Sequence, residues 1–166
     1  MAFNTAQGNI HGPLLNFSVA TKRGTQSFGA STSLTAISGL SVNITPQHVN
    51  NYLLILAQLT IGGNSATSMI ATLMLNGGEI TDFRGNADGN RARCTSRTSQ
   101  DGQYEAHTIP LMGMWSPGST SAQTISVSAS ANAGTFWVNR SHTSNNDTSR
   151  DSSRPFSCIQ VFEFHS

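Results

Sequence analysis

Four arginines occur close together in a polar segment: Arg84, Arg91, Arg93 and Arg97. Guanidinium groups of this kind pair in a bidentate manner with carboxylates or phosphates. Asp82, Asp88 and Asp101 interrupt the arginines, and no aromatic residue lies between Phe83 and Tyr104. Binding of nucleic acid needs a larger cationic excess and aromatic residues that stack on bases. The segment therefore predicts either a solvated loop with internal Arg–Asp pairs or contacts to an acidic protein surface, and no nucleic-acid site.

A second polar segment near the C-terminus has the same mixed character, with Arg140, Arg150 and Arg154 placed around Asp147 and Asp151. Loops are where a rigid β scaffold presents its contacts. We therefore expect both arginine segments at one or both ends of the fold, making protein contacts. Phe3 and Ile10, near the N-terminus, are further candidates for such contacts.

The sequence predicts no metal site. Asp82, Asn86, Asp88 and Asn90 have near-alternate spacing, but the glycine and glutamate that an EF-hand needs at its sixth and twelfth positions are missing. Asx-Gly turn chemistry accounts for these residues without a metal. Cys94 and Cys158 have no CxxC spacing and no histidine at ligand spacing, so we interpret both as free thiols, with a single bridge between them left open.

No catalytic centre is predicted either. Phosphate-cradle, dinucleotide and nucleophile-elbow motifs are absent from the sequence. A glycosidase would need two suitably spaced carboxylates, and Glu79, Asp101 and Glu105 are the candidates. The histidines are scattered, which is typical of surface and turn positions: His11, His48, His107, His142 and His165. We therefore expect a protein that is not an enzyme, with no cofactor.

Composition limits the classes of function that this protein can have. The net charge is +1 and charged residues make up 10% of the 166-residue chain, so no bulk field attracts nucleic acid or an anionic membrane. The N-terminus lacks the basic and apolar regions of a signal peptide. The longest apolar run, Tyr52–Ala57, is too short to cross a bilayer. We expect synthesis in a cytoplasm without membrane association.

The elements that position these residues are predicted to be strands. Serine and threonine, 23 and 18 in number, make up a quarter of the chain, and helical faces rich in Glu, Lys and Ala are missing. Eight or so strands are indicated, with turn signals every 8–15 residues. This pattern is typical of an all-β antiparallel jelly roll or β-sandwich.

Alternation and apolar runs locate these strands. Residues 83–103 are predicted to be a long polar excursion, and Asn132-Ala133-Gly134 a turn between two strands. The clearest strand segments are Leu40–Ile44, Tyr52–Ile61, Met69–Leu75, Tyr104–Pro110, Ile125–Ala131, Phe136–Asn139 and Ile159–Phe164. By periodicity alone Tyr52–Ile61 and Met69–Leu75 could each be a short helix, but their length and flanking glycines favour buried strands. Leu53–Leu56 and Met69–Leu75 are apolar on both faces, which is more apolar surface than a two-sheet core takes from one strand. We therefore expect a closed homo-oligomer that buries the surplus face.

Several segments, taken in order over residues 14–166, resemble the jelly-roll domain family of tailed-bacteriophage virion proteins, which includes capsid decoration (cement) proteins and C-terminal domains of tail fibres. Trp115 and Trp137 stand where that family usually has Asp and Tyr. The similar segments are Gly39–Pro46, Tyr52–Leu56, Asn90–Arg93, Trp115–Ala122, Thr135–Ser141 and Ser157–Phe164. The resemblance implies a homotrimeric, structural and non-enzymatic virion protein that is assembled in the host cytoplasm, and it supplies no active-site residues.

Three functions follow from this resemblance and the composition. Residues 1–13 are predicted to be an anchoring arm, too short for a fibre shaft, and residues 14–166 the jelly-roll domain. Capsid decoration is the leading hypothesis, in which a trimer binds the major capsid protein or another virion protein. A receptor-binding subunit of a tail fibre is the alternative, and a glycan-binding or glycan-active sandwich is a distant one.

Overall fold

The computed structural model describes residues 4–5, 8–9, 13–64, 66–142 and 153–166. Within these ranges the regular structure is β-strand together with a single 3₁₀ turn, Thr81–Phe83. No helix in the described part of the chain has the length and apolar character needed to span a membrane. The strands are β1 (Asn4–Thr5), β2 (Gly8–Asn9), β3 (Leu14–Lys22), β4 (Gln26–Ile44), β5 (Tyr52–Gly63), β6 (Thr67–Leu75), β7 (Gly78–Glu79), β8 (Ser96–Gln100), β9 (His107–Trp115), β10 (Gln123–Val138) and β11 (Ser157–Phe164).

The long strands form two antiparallel layers of four strands each. The first sheet has the order β3-β11-β5-β9, and the second has the order β4-β10-β6-β8, with the short β7 beside the end of β6. The sheets are joined at one corner, where Ile61–Gly63 of β5 pairs with Phe136–Val138 of β10. This arrangement is a jelly roll, and it confirms the predicted all-β fold. β1 and β2 pair only with each other, and the jelly roll begins at Leu14.

The core lies between the two sheets and follows the predicted alternation. In β5 the inward residues Leu53, Ile55 and Leu59 have no exposed surface, and in β10 Ile125 and Val127 are equally buried. Because successive side chains of a strand point to opposite faces, the same alternation fixes which residues point outward.

The predicted polar excursion over residues 83–103 is wrong in part, because it contains β8. Ser96–Gln100 has no apolar residue, but it pairs along β6 from Ala71 to Thr67. This edge strand is held by backbone pairing with β6, and of its side chains Gln100 is buried. Hydrophobic periodicity therefore could not identify it.

The predicted turn at residues 132–134 is also wrong, because β10 continues through it as one strand. Its long partner β4 stays beside it on both sides, with Ala131 opposite Ser31 and Thr135 opposite Gly29. Register shifts at this point accommodate extra residues in each strand, which is the structure of β-bulges.

The strand predicted over residues 104–110 begins later, at His107, and continues to Trp115. Pro110 lies inside it and faces Gln58 of β5. Since β9 pairs only with β5, it is an edge strand, where proline is tolerated.

The loops gather at the two ends of the sandwich. At one end, the loops after β3, β5, β8 and β10 meet, and the His142 amide donates a hydrogen bond to the Gln103 carbonyl at 3.1 Å. At the opposite end, the buried Glu163 carboxylate accepts hydrogen bonds from the Gln47 amide and from Nδ2 of Asn51, both at 2.6 Å.

Candidate functional site

The outer face of the first sheet is uncharged and mostly apolar, and we call it the apolar face. Strand register places its residues in rows across β3, β11, β5 and β9. The rows are Phe17–Phe162–Leu54–Met114, Val19–Gln160–Leu56–Met112 and Thr21–Cys158–Gln58–Pro110, with Leu14, Phe164 and Tyr52 beyond the first row. None of these residues carries a charge. Neighbouring strands lie about 4.8 Å apart and alternate residues about 6.8 Å apart, so the array measures roughly 14 Å by 20 Å between Cα atoms.

Several of these side chains are substantially exposed in the single chain. Met112 is 64% exposed, Val19 51% and Phe17 47%, and the rings of Phe17 and Phe162 lie 4.8 Å apart between their centroids. An exposed apolar surface of this kind is a candidate interaction site.

The sequence predicted surplus apolar surface on both β5 and β6, and the structure distinguishes the two strands. The outer residues of β5, Leu54 and Leu56, are partly exposed. On the outer side of β6, Thr72 and Met74 are already buried within the single chain. The surplus surface of β6 is therefore largely covered by its own chain, and that of β5 is not.

The first arginine segment divides into two pairs with different environments. Arg84 is held by an ion pair of 2.9 Å with Glu79, and Nε of Arg93 donates a hydrogen bond to the Gly85 carbonyl at 2.6 Å. These two stabilise their own loop. Arg91 and Arg97 instead border a groove on the outer face of the second sheet.

This groove, which we call the arginine groove, has a volume of about 500 Å³. Arg97 of β8 lies opposite Ile70 of β6, and Ile70 lies opposite Ser130 of β10, so these three side chains form its floor. Nη2 of Arg97 donates a hydrogen bond to Oγ of Ser68 at 2.8 Å. Arg91, which forms an ion pair with Asp88, belongs to the wall that continues through Ala92 and Cys94.

Cys94 is a half-buried thiol in this wall. Burial raises its pKa above the usual range, and the positive charge of Arg97 lowers it by a smaller amount. Cys158 lies on the apolar face, opposite Gln58. Both cysteines are free, which confirms the prediction of free thiols and shows that they belong to different outer faces.

Arg140 and Arg154 lie at the other end of the molecule from Arg84. Arg140 lies over the Trp137 ring at 5.2 Å and donates hydrogen bonds to the carbonyls of Ser141 at 2.9 Å and His142 at 2.5 Å. Burial, and to a smaller degree the charge of Arg154, lowers the pKa of Arg140. The two arginine segments therefore do not form one surface.

Phe3, Ile10 and Arg150 lie outside the described residues, and the contact role of all nine candidates stays a prediction.

Two of the carboxylates considered for catalysis have polar partners near them in the chain. Glu79 is held by Arg84, and Glu105 accepts hydrogen bonds from His107 at 3.0 Å and from the Asp101 amide at 2.9 Å. These hydrogen bonds, first that of His107, lower the pKa of Glu105. In the described ranges, no three His, Cys, Asp or Glu side chains are grouped so that they could hold a metal ion.

No protein-family model and no curated protein matches this chain. Solved structures similar to it include that of infectious bursal disease virus, Gx strain, with 14% identity and a TM-score of 0.44 over 91% of this chain. The VP2 subviral particle of infectious bursal disease virus is similar at 12% identity and a TM-score of 0.41, again over 91% of this chain. The enzymatically active domain of tailspike protein 4 from bacteriophage CBA120 is similar at 9% identity and a TM-score of 0.27, over 74% of this chain.

The chain spans 40%, 41% and 18% of the length of those three proteins.

Proposed function

We propose that this protein is a non-enzymatic structural component of a bacteriophage virion. In its most specific form, the proposal is a capsid decoration protein that forms a homotrimer and binds the major capsid protein or another virion protein. The observation that carries it is the uncharged apolar face on a single folded chain. The resemblance of residues 14–166 to phage virion jelly rolls supplies the virion context.

A second copy of the chain is the occupant that best fits the apolar face. The face offers no charge for a charged partner to recognise, and an uncharged apolar surface is complementary to another of its kind. The net charge of +1 gives little repulsion between copies. In a closed ring every copy buries its apolar face. We therefore propose three chains with their apolar faces directed towards a common axis.

With the apolar face covered, the loop ends, the outer face of the second sheet and the N-terminal segment remain for contacts with the capsid. Arg84 and Arg93 pair within their own loop. We propose that Arg91 and Arg97 on the outer face of the second sheet, and Arg140 and Arg154 at the opposite loop end, meet acidic residues of a partner. We assign no role in nucleic-acid or membrane binding.

Mass measurement tests the self-association. We expect light scattering at micromolar concentration to give three times the chain mass of 17.6 kDa. Leu56→Asp, at the centre of the apolar face, should give a folded monomer. Ser41→Asp is the matched control, because it places the same charge at an exposed strand position of the second sheet and should leave the trimer intact.

A monomeric wild-type chain would overturn the proposed assembly. A dimer that Leu56→Asp dissociates would keep the apolar face as the interface and reject the trimer. Circular dichroism of each variant separates loss of assembly from loss of folding.

The virion location is tested by adding the purified protein to phage particles stripped of it. A decoration protein should rebind the capsid shell to saturation. The alternative, a receptor-binding subunit of a tail fibre, is favoured by the open arginine groove on the sheet that the trimer leaves exposed. This tail-fibre alternative predicts that the protein binds at the tail and that the free protein blocks adsorption of phage to the host.

A further inference from the structure

We propose that the arginine groove is a binding site for a saccharide that carries a carboxylate, such as a uronic acid unit. The groove lies on the second sheet, away from the apolar face, so this inference does not depend on the proposed self-association or on a place in the capsid.

The charge of the groove selects an anion. Arg97 and Arg91, the latter paired with Asp88, both line it, and none of the described lining residues is acidic. Arg97 is oriented by its hydrogen bond to Ser68 at 2.8 Å, which uses one of its five N–H donors and leaves the others for a ligand. A planar guanidinium recognises a carboxylate through two parallel hydrogen bonds.

The other lining groups suit a hydroxylated ring. Hydroxyl groups come from Ser31, Thr32 and Ser130, and a carboxamide from Asn132. The hydroxyl groups can both donate and accept hydrogen bonds, as sugar hydroxyls require. Asn132 offers its amide N–H groups, because its Oδ1 already accepts hydrogen bonds from Oγ1 of Thr67 at 2.6 Å and from the Ser68 amide at 3.1 Å. Ile70 in the floor and Ala92 in the wall offer apolar surface for the C–H face of a ring. Within the described part of the chain no aromatic side chain lines the groove, so this lining offers no platform for stacking a nucleobase.

The shape of the groove is created by irregularities in two strands. The register between β4 and β10 shifts between Ala129 and Ala131 and again between Ala131 and Thr135. These bulges lie at Ser31 and Thr32, which form the wall opposite Arg91. Bulges that re-aim side chains are common next to functional sites.

The test is a titration of the full chain with a galacturonic acid trisaccharide, followed by calorimetry at low salt. We expect saturable binding that weakens as salt is added, because the arginines are solvent-exposed and their charge is screened. The neutral galactose trisaccharide should bind much more weakly. Arg97→Gln should reduce the affinity by about fivefold. Arg23→Gln, an exposed arginine outside the groove, should leave it unchanged.

The two free thiols provide a second measurement on the wild-type protein. Saturating trigalacturonate should slow alkylation of Cys94 in the groove wall and leave the rate of Cys158, on the other sheet, unchanged.

Equal binding of the acidic and neutral trisaccharides, or unchanged Cys94 reactivity at saturation, would overturn the proposal. Binding of an acidic peptide of the same charge with equal affinity would also overturn it, because the groove would then recognise charge without the sugar.

Discussion

The Ser157 hydroxyl donates a hydrogen bond of 2.6 Å to Oδ1 of Asn139, and through this contact the start of β11 is fixed to the end of β10. Nδ2 of Asn139 donates to the carbonyls of Lys22 at 2.8 Å and Gly24 at 3.1 Å. The backbone amide of Thr60 donates to the same Ser157 hydroxyl at 2.9 Å. Two buried side chains therefore connect four segments at one end of the jelly roll.

Replacing Asn139 should destabilise the fold. Asn139 has a φ of +62°, and its side chain has no exposed surface. Asn139→Ala leaves the Lys22 and Gly24 carbonyls without this donor and keeps a left-handed backbone, so we expect a loss of about 2–4 kcal/mol in the free energy of unfolding. Asn139→Gly, which tolerates this φ, should cost less. Urea denaturation measures both, and a loss below about 0.5 kcal/mol for Asn139→Ala would contradict the assigned role.

Gly62 is required by close approach of the backbone. A Cβ atom there would lie 2.6 Å from both the Arg140 and the Glu105 carbonyl oxygens. Since backbone atoms cannot move aside cheaply, Gly62→Ala should cost about 2–4 kcal/mol of unfolding free energy. Gly29→Ala is the control, because nothing lies within 4 Å of its Cβ position, and we expect it to be neutral or slightly stabilising. Equal effects of the two substitutions would refute this explanation.

Gly113 makes room for the ring of Phe83, which packs against the core. A Cβ at Gly113 would meet ring atoms of Phe83 at 2.5 Å. Gly113→Ala should therefore cost about 1–3 kcal/mol. In a Phe83→Ala background the same substitution should be close to neutral. A double-mutant cycle of thermal or urea unfolding measures the coupling, and additive effects would show that the two residues are independent.

The reactivity of Cys94 should report the charge of Arg97. Burial raises the pKa of Cys94, and the positive charge of Arg97 lowers it by a smaller amount. Because the thiolate is the reactive form, Arg97→Gln should raise the pKa further and slow alkylation by iodoacetamide at a fixed pH near 8. The pH–rate profile should move to higher pH, while Arg23→Gln should leave it in place. Faster alkylation in Arg97→Gln would mean that Arg97 mainly shields the thiol.

Deletion of residues 1–12 should leave the jelly roll folded, because pairing with β11 begins at Leu14. On the predicted role of the N-terminal arm, the truncated protein should lose attachment to the virion. The measurements are circular dichroism for folding and occupancy on stripped particles for attachment. Full occupancy of the truncated protein would show that another surface anchors it.

The prediction of strands succeeded where one face is buried and the sequence alternates. Tyr52–Ile61, Met69–Leu75, Ile125–Ala131 and Ile159–Phe164 all lie in strands, since burial between two sheets imposes a period of two on side-chain polarity. The prediction failed for Ser96–Gln100, where β6 supplies the pairing, and for residues 132–134, where β4 keeps β10 extended through a turn-like sequence.

The sequence by itself determined the all-β class, the surplus of apolar residues on β5 and a basic set of eight arginines with a single lysine, Lys22. Composition and alternation are local properties, and they are readable without knowing what lies alongside each strand. The tertiary structure alone decided that the apolar residues of four strands share one outer face, that Arg97 and Arg91 border a groove with Ser31 and Asn132, and that Asn139 is buried at a junction. These relationships join residues far apart in the chain, and strand register, which depends on every partner at once, sets them.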